Sequence, residues 1–285
     1  MDFALEVKNL TKQYDDFTLN QITLSIPSGT VVGLVGENGA GKSTFLHSVT
    51  GILHSSYDTL KVLGKDFETN EKEIKEDVAV IFDTTHYNLS FTPKFIGLIL
   101  SKTYKNWNME TYYHYLELFG LPLEKKLKTF SRGMKMKLEF AIAFSHNAKF
   151  LILDEATSGL DPVVRDDILN ILRDFTLQED HTVLLSSHIT SDLEKISDYI
   201  AYIHQGNLLF MIPYEELHEK YGIIHAGKDF FDSLNPEDVI GYIEEPYSFS
   251  ILVKNRFAIQ EVFQDLEIAR ATIEDIMLFY VKGKK

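Results

Sequence analysis

The segment Gly36-Glu37-Asn38-Gly39-Ala40-Gly41-Lys42-Ser43-Thr44 decides the fold, since it directly follows the short apolar run from Thr30 to Val35. It matches the pattern G-x-x-x-x-G-K-[ST], whose glycines let consecutive backbone N–H groups curl around phosphate oxygens. The N-terminus of the helix that follows adds its positive dipole end, Lys42 reaches the β and γ phosphates, and Ser43 can ligate Mg²⁺. A chance glycine-rich turn is the alternative, which the preceding strand and the following helix disfavour. The predicted phosphate-binding residues are Gly36, Asn38, Gly39, Ala40, Gly41, Lys42, Ser43 and Thr44.

Strand patterns along the chain indicate that this loop belongs to a largely parallel sheet. Five short and nearly continuous apolar runs are typical of strands that are buried on both faces. Helical segments fall between these runs, which predicts an α/β domain. The runs are Thr30 to Val35, Val78 to Phe82, Phe150 to Leu153, Thr182 to Ser186 and Tyr199 to Ile203.

The first thirty residues show a different pattern, with apolar residues at every second position. Leu5 and Val7 flank Glu6, and the same alternation runs from Ile22 to Ile26. A period of two indicates strands that are buried on one face. We therefore predict an N-terminal antiparallel β subdomain whose first two strands are joined near Asp15-Asp16.

A helical insertion is expected between the second and third apolar runs. From Pro93 to Asn147 no strand pattern occurs, while the segments Thr111 to Phe119 and Met134 to Phe144 repeat apolar residues at helical spacing. This predicts a helical subdomain over about 91–147. The crowded aromatic residues of the first segment are interpreted as core packing, with a groove wall that receives a partner helix as the alternative.

The last part of the chain carries no catalytic pattern. A turn signal at 205–207 suggests that Leu208 to Phe210 pairs back as a hairpin strand. Beyond it we predict one strand at Ser248 to Val253 and helices near 256–266 and 272–281, the second beginning with a capping arrangement at Thr272. The predicted domains are 1–213 and a small α+β accessory domain at 214–285.

Composition excludes several functional classes. The chain has 285 residues, of which 45% are hydrophobic, and its 28 basic and 42 acidic residues give a formal net charge of −14. This charge repels polyphosphate backbones and predicts no nucleic-acid partner, so that phosphate must be handled locally. The absence of Cys excludes disulfide scaffolds, Cys-ligated zinc and thiol catalysis. The chain lacks both an apolar run long enough to span a bilayer and a basic-then-apolar secretory start, which predicts a cytoplasmic protein.

A second acidic element supports nucleotide chemistry. The run Phe150 to Leu153 ends in Asp154 and Glu155. Asp154 suits a Mg²⁺ contact, and Glu155 can polarise an attacking water as a general base. Acidic residues at strand ends are common by themselves. Together with the phosphate loop, they favour hydrolysis of a nucleoside triphosphate.

The order of these motifs resembles the ATP-binding subunit of ABC transporters over about residues 3 to 210. The segment Phe130-Ser131-Arg132-Gly133-Met134 resembles a divergent form of the L-S-G-G-Q signature of that family. Ser158-Gly159-Leu160-Asp161 matches its D-loop, and Ser187-His188 matches its switch histidine. The resemblance implies a P-loop NTPase fold of the ABC ATPase type, with ATP and Mg²⁺ as cofactors.

The resemblance also implies roles for individual residues. Ser131, Arg132 and Gly133 face the nucleotide of a second subunit in that family, so that two chains sandwich two ATP molecules head to tail. The helix start at Ser131 is itself suited to bind an anion. His188 can donate to a γ-phosphate oxygen. The partners implied are a membrane-spanning subunit and a second ATP-binding subunit, in a homodimer or heterodimer on the cytoplasmic face of the membrane.

Two further residues carry alternatives. Tyr14 resembles the aromatic residue that stacks on adenine in this family, although a tyrosine that only packs is a competing interpretation. Asp161 belongs to the D-loop, and the Asp161-Pro162 pair is also a routine helix start. Both interpretations of Asp161 are compatible with each other.

The sequence departs from the family pattern at two places. Most members place Gln directly after the strand that corresponds to Val78–Phe82, where this chain has Asp83, which adds negative charge near the γ-phosphate. Asp83 either ligates Mg²⁺ or slows hydrolysis. In the signature, Arg132 replaces the first glycine and Met134 replaces glutamine. This form resembles a branch of bacterial ABC exporters for peptides or antimicrobial compounds.

Two other functions are weighed against an exporter subunit. A non-transport ABC ATPase, of the translation or DNA-repair type, usually carries two cassettes or a long coiled-coil insertion. This chain has one phosphate loop and no sustained heptad pattern. A P-loop kinase would lack the elements at Ser131 and His188.

Overall fold

The computed structural model describes residues 2–84 and 86–284, which form two compact units with a boundary between Met211 and Ile212. The strands that begin in the first unit are β1 (Phe3–Gln13), β2 (Thr18–Pro27), β3 (Val31–Val35), β4 (Thr59–Val62), β5 (Lys65–Asp66), β6 (Val78–Ile81), β7 (Phe150–Asp154), β8 (Thr182–Ser186), β9 (Tyr199–His204) and β10 (Asn207–Pro213). Its helices are α1 (Lys42–Val49), α2 (Phe67–Asp77), α3 (Pro93–Leu100), α4 (Met109–Leu118), α5 (Arg132–Ser145), α6 (Pro162–Phe175) and α7 (Thr190–Ile196).

The parallel sheet positions the functional residues. Its strand order is β10-β9-β3-β8-β7-β6, and β6, β7, β8, β3 and β9 pair in parallel. Every residue of β3, β7 and β8 is buried, as their continuous apolar runs predict. Because parallel strands end at one edge of the sheet, the segments that follow these three strands meet there. The predicted α/β fold is confirmed.

The N-terminal sheet is antiparallel, as the alternating pattern predicts. Its order is β2-β1-β4-β5, and β1 pairs with both β2 and β4. The turn between β1 and β2 contains Asp15-Asp16 and is closed by a hydrogen bond from the Tyr14 N–H to the Phe17 carbonyl at 2.8 Å. This turn places Phe17 beside the phosphate loop.

The helical insertion has a core of its own, built from α3, α4 and α5. Tyr112 is fully buried, and its hydroxyl donates to the Pro93 carbonyl at 2.9 Å. A Cβ on Gly97 would lie 2.6 Å from the Tyr112 ring, so that only glycine permits this packing. Tyr112 and Leu116 are therefore core residues, whereas Tyr113 is exposed. The core interpretation is confirmed for the inward face of α4.

The second unit contains more sheet than the sequence pattern predicts. Its strands are β11 (Gly222–Ala226), β12 (Val239–Glu244), β13 (Phe249–Val253) and β14 (Ala269–Arg270), and its helices are α8 (Tyr214–Lys220), α9 (Lys228–Phe231), α10 (Arg256–Val262) and α11 (Ile273–Lys282). All adjacent strands are antiparallel, in the order β12-β13-β11-β14.

The prediction of a single strand in this unit was wrong. Gly222 begins β11 and Gly241 lies within β12, next to a shift in its register with β13, and glycine weakens the local strand signal. These strands form because they pair with β13. The expected helix near 256–266 ends at Val262, and the capping box at Thr272, with Asp275, is confirmed.

Within residues 2–84 and 86–284, no helix is long and apolar enough to cross a membrane.

Candidate nucleotide-binding site

A cavity of about 640 Å³ opens at the sheet edge where β3, β7 and β8 end. It combines backbone amides, one lysine and several carboxylates, which is a donor set suited to phosphate and a bound cation. The lining residues are Asp16, Phe17, Glu37, Asn38, Gly39, Gly41, Lys42, Ser43, Thr44, Asp83, Glu155, Ser158 and His188.

The backbone of the loop between β3 and α1 requires glycine at two positions. A Cβ on Gly36 would lie 2.3 Å from the Ile203 carbonyl oxygen of β9, so that a larger residue would push the loop out of place. Gly41 has a φ of 112°, and a Cβ there would lie 2.9 Å from the Phe17 ring. Gly41 caps α1 without a side-chain hydrogen bond, which leaves the first N–H groups of that helix available to an anion.

Lys42 is held inside the cavity by oxygen atoms. Its side chain is 6% exposed, and Nζ donates to the carbonyls of Gly36 at 2.7 Å and Glu37 at 3.1 Å. It also lies 3.8 Å from Oε1 of Glu155. Burial lowers the pKa of Lys42, and the negative charges of Glu155, Asp154 and Glu37 oppose that shift. The loop thus fixes a buried cation beside the catalytic candidates.

Glu155 joins the two other charged candidates. One carboxylate oxygen faces Lys42, and the other is hydrogen-bonded to Nδ1 of His188. The backbone N–H of His188 also donates to this second oxygen at 3.4 Å. Glu155 has a φ of 54°, a left-handed conformation that costs a non-glycine residue about 1–3 kcal/mol. This bend after β7 brings the Glu155 side chain into the cavity.

Asp154 is fixed at the end of β7. The residue is 7% exposed, and its Oδ1 accepts a hydrogen bond from the Ser186 hydroxyl at 2.7 Å. Its Oδ2 lies 3.7 Å from Nε2 of His47, which belongs to α1. The paired strands β7 and β8 place Asp154 directly opposite Ser186.

The predicted Mg²⁺ candidates share a second cavity of about 590 Å³. Ser43, Asp83 and Asp154 all line it, and each offers the oxygen ligands that Mg²⁺ prefers; the proposed general base Glu155 lines it too. The described residues contain no group of three His, Asp or Glu side chains that would hold a metal by themselves. In nucleotide sites Mg²⁺ uses one or two carboxylates together with waters and substrate phosphates, so the residues present fit it.

The signature residues lie apart from this site within the described chain. Ser131 caps α5, and its Oγ accepts from the Met134 N–H at 3.2 Å. The Arg132 guanidinium packs against Gly159, where a Cβ would lie 2.5 Å from Nη1. Arg132 and Asp83 line a separate cavity of about 390 Å³. Ser131, Arg132, Gly133 and Asp161 do not occur among the lining residues of the Lys42 cavity.

Asp161 and Tyr14, the two residues for which the sequence allows alternative roles, do not line the Lys42 cavity. Asp161 caps α6, since its Oδ1 accepts from the Val164 N–H at 3.1 Å, so its expected helix-start role is confirmed. Tyr14 is 40% exposed and lies under the Lys12 ammonium, 5.4 Å from the ring centroid. Phe17, rather than Tyr14, is among the residues that line the cavity.

Sequence reasoning missed three residues of this site. Phe17 lies across the β1–β2 turn from Tyr14, and its aromatic character is the only feature of the sequence that suggests a contact with a nucleotide. Ser186 ends a buried strand and directly precedes Ser187-His188, and this position was the sequence feature that could have indicated a place in the site. His47 was not assigned a role, and only the fold shows that α1 carries it to Asp154.

Comparison with known proteins agrees with this geometry. Residues 19–158 match the family model described as ABC transporter. The bacitracin transport ATP-binding protein of Enterococcus faecalis is 33% identical over 223 residues, which cover 77% of this chain and 72% of that protein. The lantibiotic transport ATP-binding protein of Streptococcus pyogenes is 33% identical over 215 residues, which cover 74% and 91%.

Solved structures show the same fold. The structure described as the ATP-binding subunit of an ABC transporter matches with a TM-score of 0.69 and 25% identity, over 75% of this chain and 92% of that one. The predicted resemblance and the predicted P-loop ATPase fold are therefore confirmed. The chain belongs to the ATP-binding subunits of ABC transporters and is an ATPase.

Proposed function

We propose that this chain binds Mg²⁺ and ATP at the cavity around Lys42, hydrolyses ATP with Glu155 as general base, and thereby powers a separately encoded membrane subunit that exports peptide antimicrobials. The observation that carries this proposal is the position of Glu155, which contacts both Lys42 and His188. Two of the relatives are ATP-binding proteins for bacitracin transport and for lantibiotic transport, which supports the substrate class.

The residues of the site divide the work of phosphoryl transfer. The amides from Gly36 to Thr44 and the Lys42 ammonium bind the β and γ phosphates. When bound, Mg²⁺ neutralises charge on the β- and γ-phosphate oxygens, and Ser43 and Asp154 would hold it, with Asp83 as a further candidate. An incoming phosphate displaces the Glu155 carboxylate from Lys42. Glu155 then orients and deprotonates the attacking water, while His188 contacts the γ-phosphate.

A complete site is proposed to need a second ATP-binding chain. The start of α5 at Ser131 is suited to bind a phosphate, and it does not line the Lys42 cavity of its own chain. A second chain, identical or related, would bring its Ser131, Arg132, Gly133 and Asp161 to this nucleotide. ATP that contacts both chains stabilises the closed dimer by linkage, and hydrolysis reopens it.

The remaining assignments complete the proposal. The unit up to Met211 is the ATPase domain, with the helical subdomain as the surface that meets the membrane subunit. The unit from Ile212 is an accessory domain. The protein would work at the cytoplasmic face of the membrane, and the net charge of −14 supports the absence of a nucleic-acid partner.

The structure favours Phe17 over Tyr14 as the contact for the adenine ring. Phe17→Ala is expected to weaken ATP binding by about tenfold, because a base stacked on an aromatic ring contributes about 1–3 kcal/mol. Tyr14→Ala is expected to change ATP affinity by less than about twofold, because Tyr14 does not line the cavity and substitutions of surface residues usually change free energies by no more than about 0.5 kcal/mol. Displacement of a fluorescent ATP analogue measures both. A larger loss in Tyr14→Ala than in Phe17→Ala would restore Tyr14 as the stacking residue.

The export function predicts a membrane partner. Tagged protein, extracted from its own cells in mild detergent, is expected to carry a polytopic membrane subunit. Deletion of the chain should sensitise the cells to bacitracin or to a lantibiotic. A Glu155→Gln chain serves as the matched control, since it should retain the partner and restore no resistance. Copurification with ribosomes or DNA in place of a membrane protein would favour the non-transport ATPase.

A further inference from the structure

Ser186 connects the two acidic residues of the site through a single hydroxyl group. It is fully buried at the end of β8 and lies opposite Asp154 in the strand register. Its Oγ donates to Oδ1 of Asp154 at 2.7 Å and accepts the backbone N–H of Glu155 at 3.1 Å. Neither the phosphate loop nor the other motifs of the chain include this residue.

Both contacts restrict groups whose orientation matters for the reaction. A buried carboxylate turns until its oxygens find donors, and the Ser186 hydroxyl fixes one oxygen of Asp154. Oδ2 then lies on the side of His47, at 3.7 Å, rather than on the side of β8. The Glu155 N–H donates to both the carbonyl and the hydroxyl of Ser186, which supports the left-handed backbone at Glu155.

We propose that Ser186 is a positioning residue, which orients Asp154 for Mg²⁺ and holds the backbone bend that presents Glu155 to the attacking water. The inference rests on the proposed function, since it concerns the same site. Outer partners that hydrogen-bond to metal-binding carboxylates commonly change metal affinity or activity by about 10–100-fold when they are removed. Ser186 stands in that relation to Asp154.

The test compares Ser186→Ala with a control variant that also loses one buried hydroxyl group on β8. Thr182→Val removes the hydroxyl of another buried residue on the same face of β8, whose Oγ1 accepts the Gly29 N–H at 3.1 Å far from the site. In Ser186→Ala, the Mg²⁺ concentration that half-saturates binding of a fluorescent ATP analogue is expected to rise about tenfold. Binding in EDTA should stay unchanged, and kcat should fall with little change in the KM for ATP.

A side chain that again carries a hydroxyl group at position 186 should restore the Mg²⁺ dependence of nucleotide binding. Ser186→Thr is expected to recover most of the parental Mg²⁺ dependence, which loss of packing alone would not explain. An unchanged Mg²⁺ dependence in Ser186→Ala, or a shift as large in Thr182→Val, would overturn the inference. Failure of the proposed function has a different signature: the parental protein would bind ATP equally with Mg²⁺ and in EDTA, and that result would overturn the inference as well.

Discussion

Glu155→Gln is expected to lower steady-state ATP hydrolysis by about 10²–10⁴-fold while leaving ATP binding within about twofold of the parental value. The amide keeps the shape of the side chain but cannot accept the proton of the attacking water. It also removes the negative charge that lies 3.8 Å from the Lys42 ammonium, so the phosphate meets less competition at Lys42. Hydrolysis and binding should therefore separate in this variant.

Phosphate release and fluorescent ATP binding measure the two properties on the same preparation. Glu179→Gln provides the control, since the substitution removes the same charge from an exposed side chain. Glu179 lies at the opposite end of the strands from the cavity. A Glu155→Gln protein that hydrolyses ATP at the parental rate would remove Glu155 from its role as general base.

Lys42→Met is expected to weaken ATP binding by about 10–100-fold, since a charged hydrogen bond to a phosphate contributes about 1.5–3 kcal/mol. The methionine side chain has nearly the same length and fills the buried space. Burial lowers the Lys42 pKa in the folded chain, so the charged amine costs folding stability at every pH at which the unfolded lysine is protonated. Lys42→Met relieves that cost but also removes the donor to the Gly36 and Glu37 carbonyls, so the two effects should offset and the melting temperature should change by less than about 5 °C.

Calorimetric titration with ATP and thermal unfolding together test the Lys42 prediction. Lys128→Met is the matched control, because Lys128 is exposed in the helical insertion and its loss should change neither quantity. Parental ATP affinity in Lys42→Met would contradict the placement of the phosphates at this loop. A large drop in melting temperature would contradict the argument that the cost of the buried charge offsets its hydrogen bonds.

The sequence predicts the parallel sheet and the charged centre because both depend on local patterns. The apolar runs that form β3, β7 and β8 are continuous, and the residues that follow them carry fixed chemical roles. Since parallel strands end at one edge, Lys42, Glu155 and His188 are brought together by topology alone. Their contacts follow from the strand order rather than from spacing along the chain.

The parts that the sequence does not predict depend on contacts between distant segments. Phe17 enters the site because the β1–β2 turn approaches Gly41, and Ser186 faces Asp154 because of the register between β7 and β8. In the second unit, β11 and β12 form by pairing with β13, although glycines weaken their own strand signals.

Asp83 lines the cavities around Lys42 and Arg132, and its role remains a prediction.

The identity of the nucleotide that stays bound tests the central claim most directly. The parental protein and Glu155→Gln are incubated with Mg²⁺ and ATP, freed of unbound nucleotide by rapid gel filtration, and denatured for chromatography of the bound fraction. Hydrolysis by Glu155 at the Lys42 cavity predicts ADP from the parental protein and intact ATP from Glu155→Gln. Recovery of ADP from Glu155→Gln in the parental amount would contradict it.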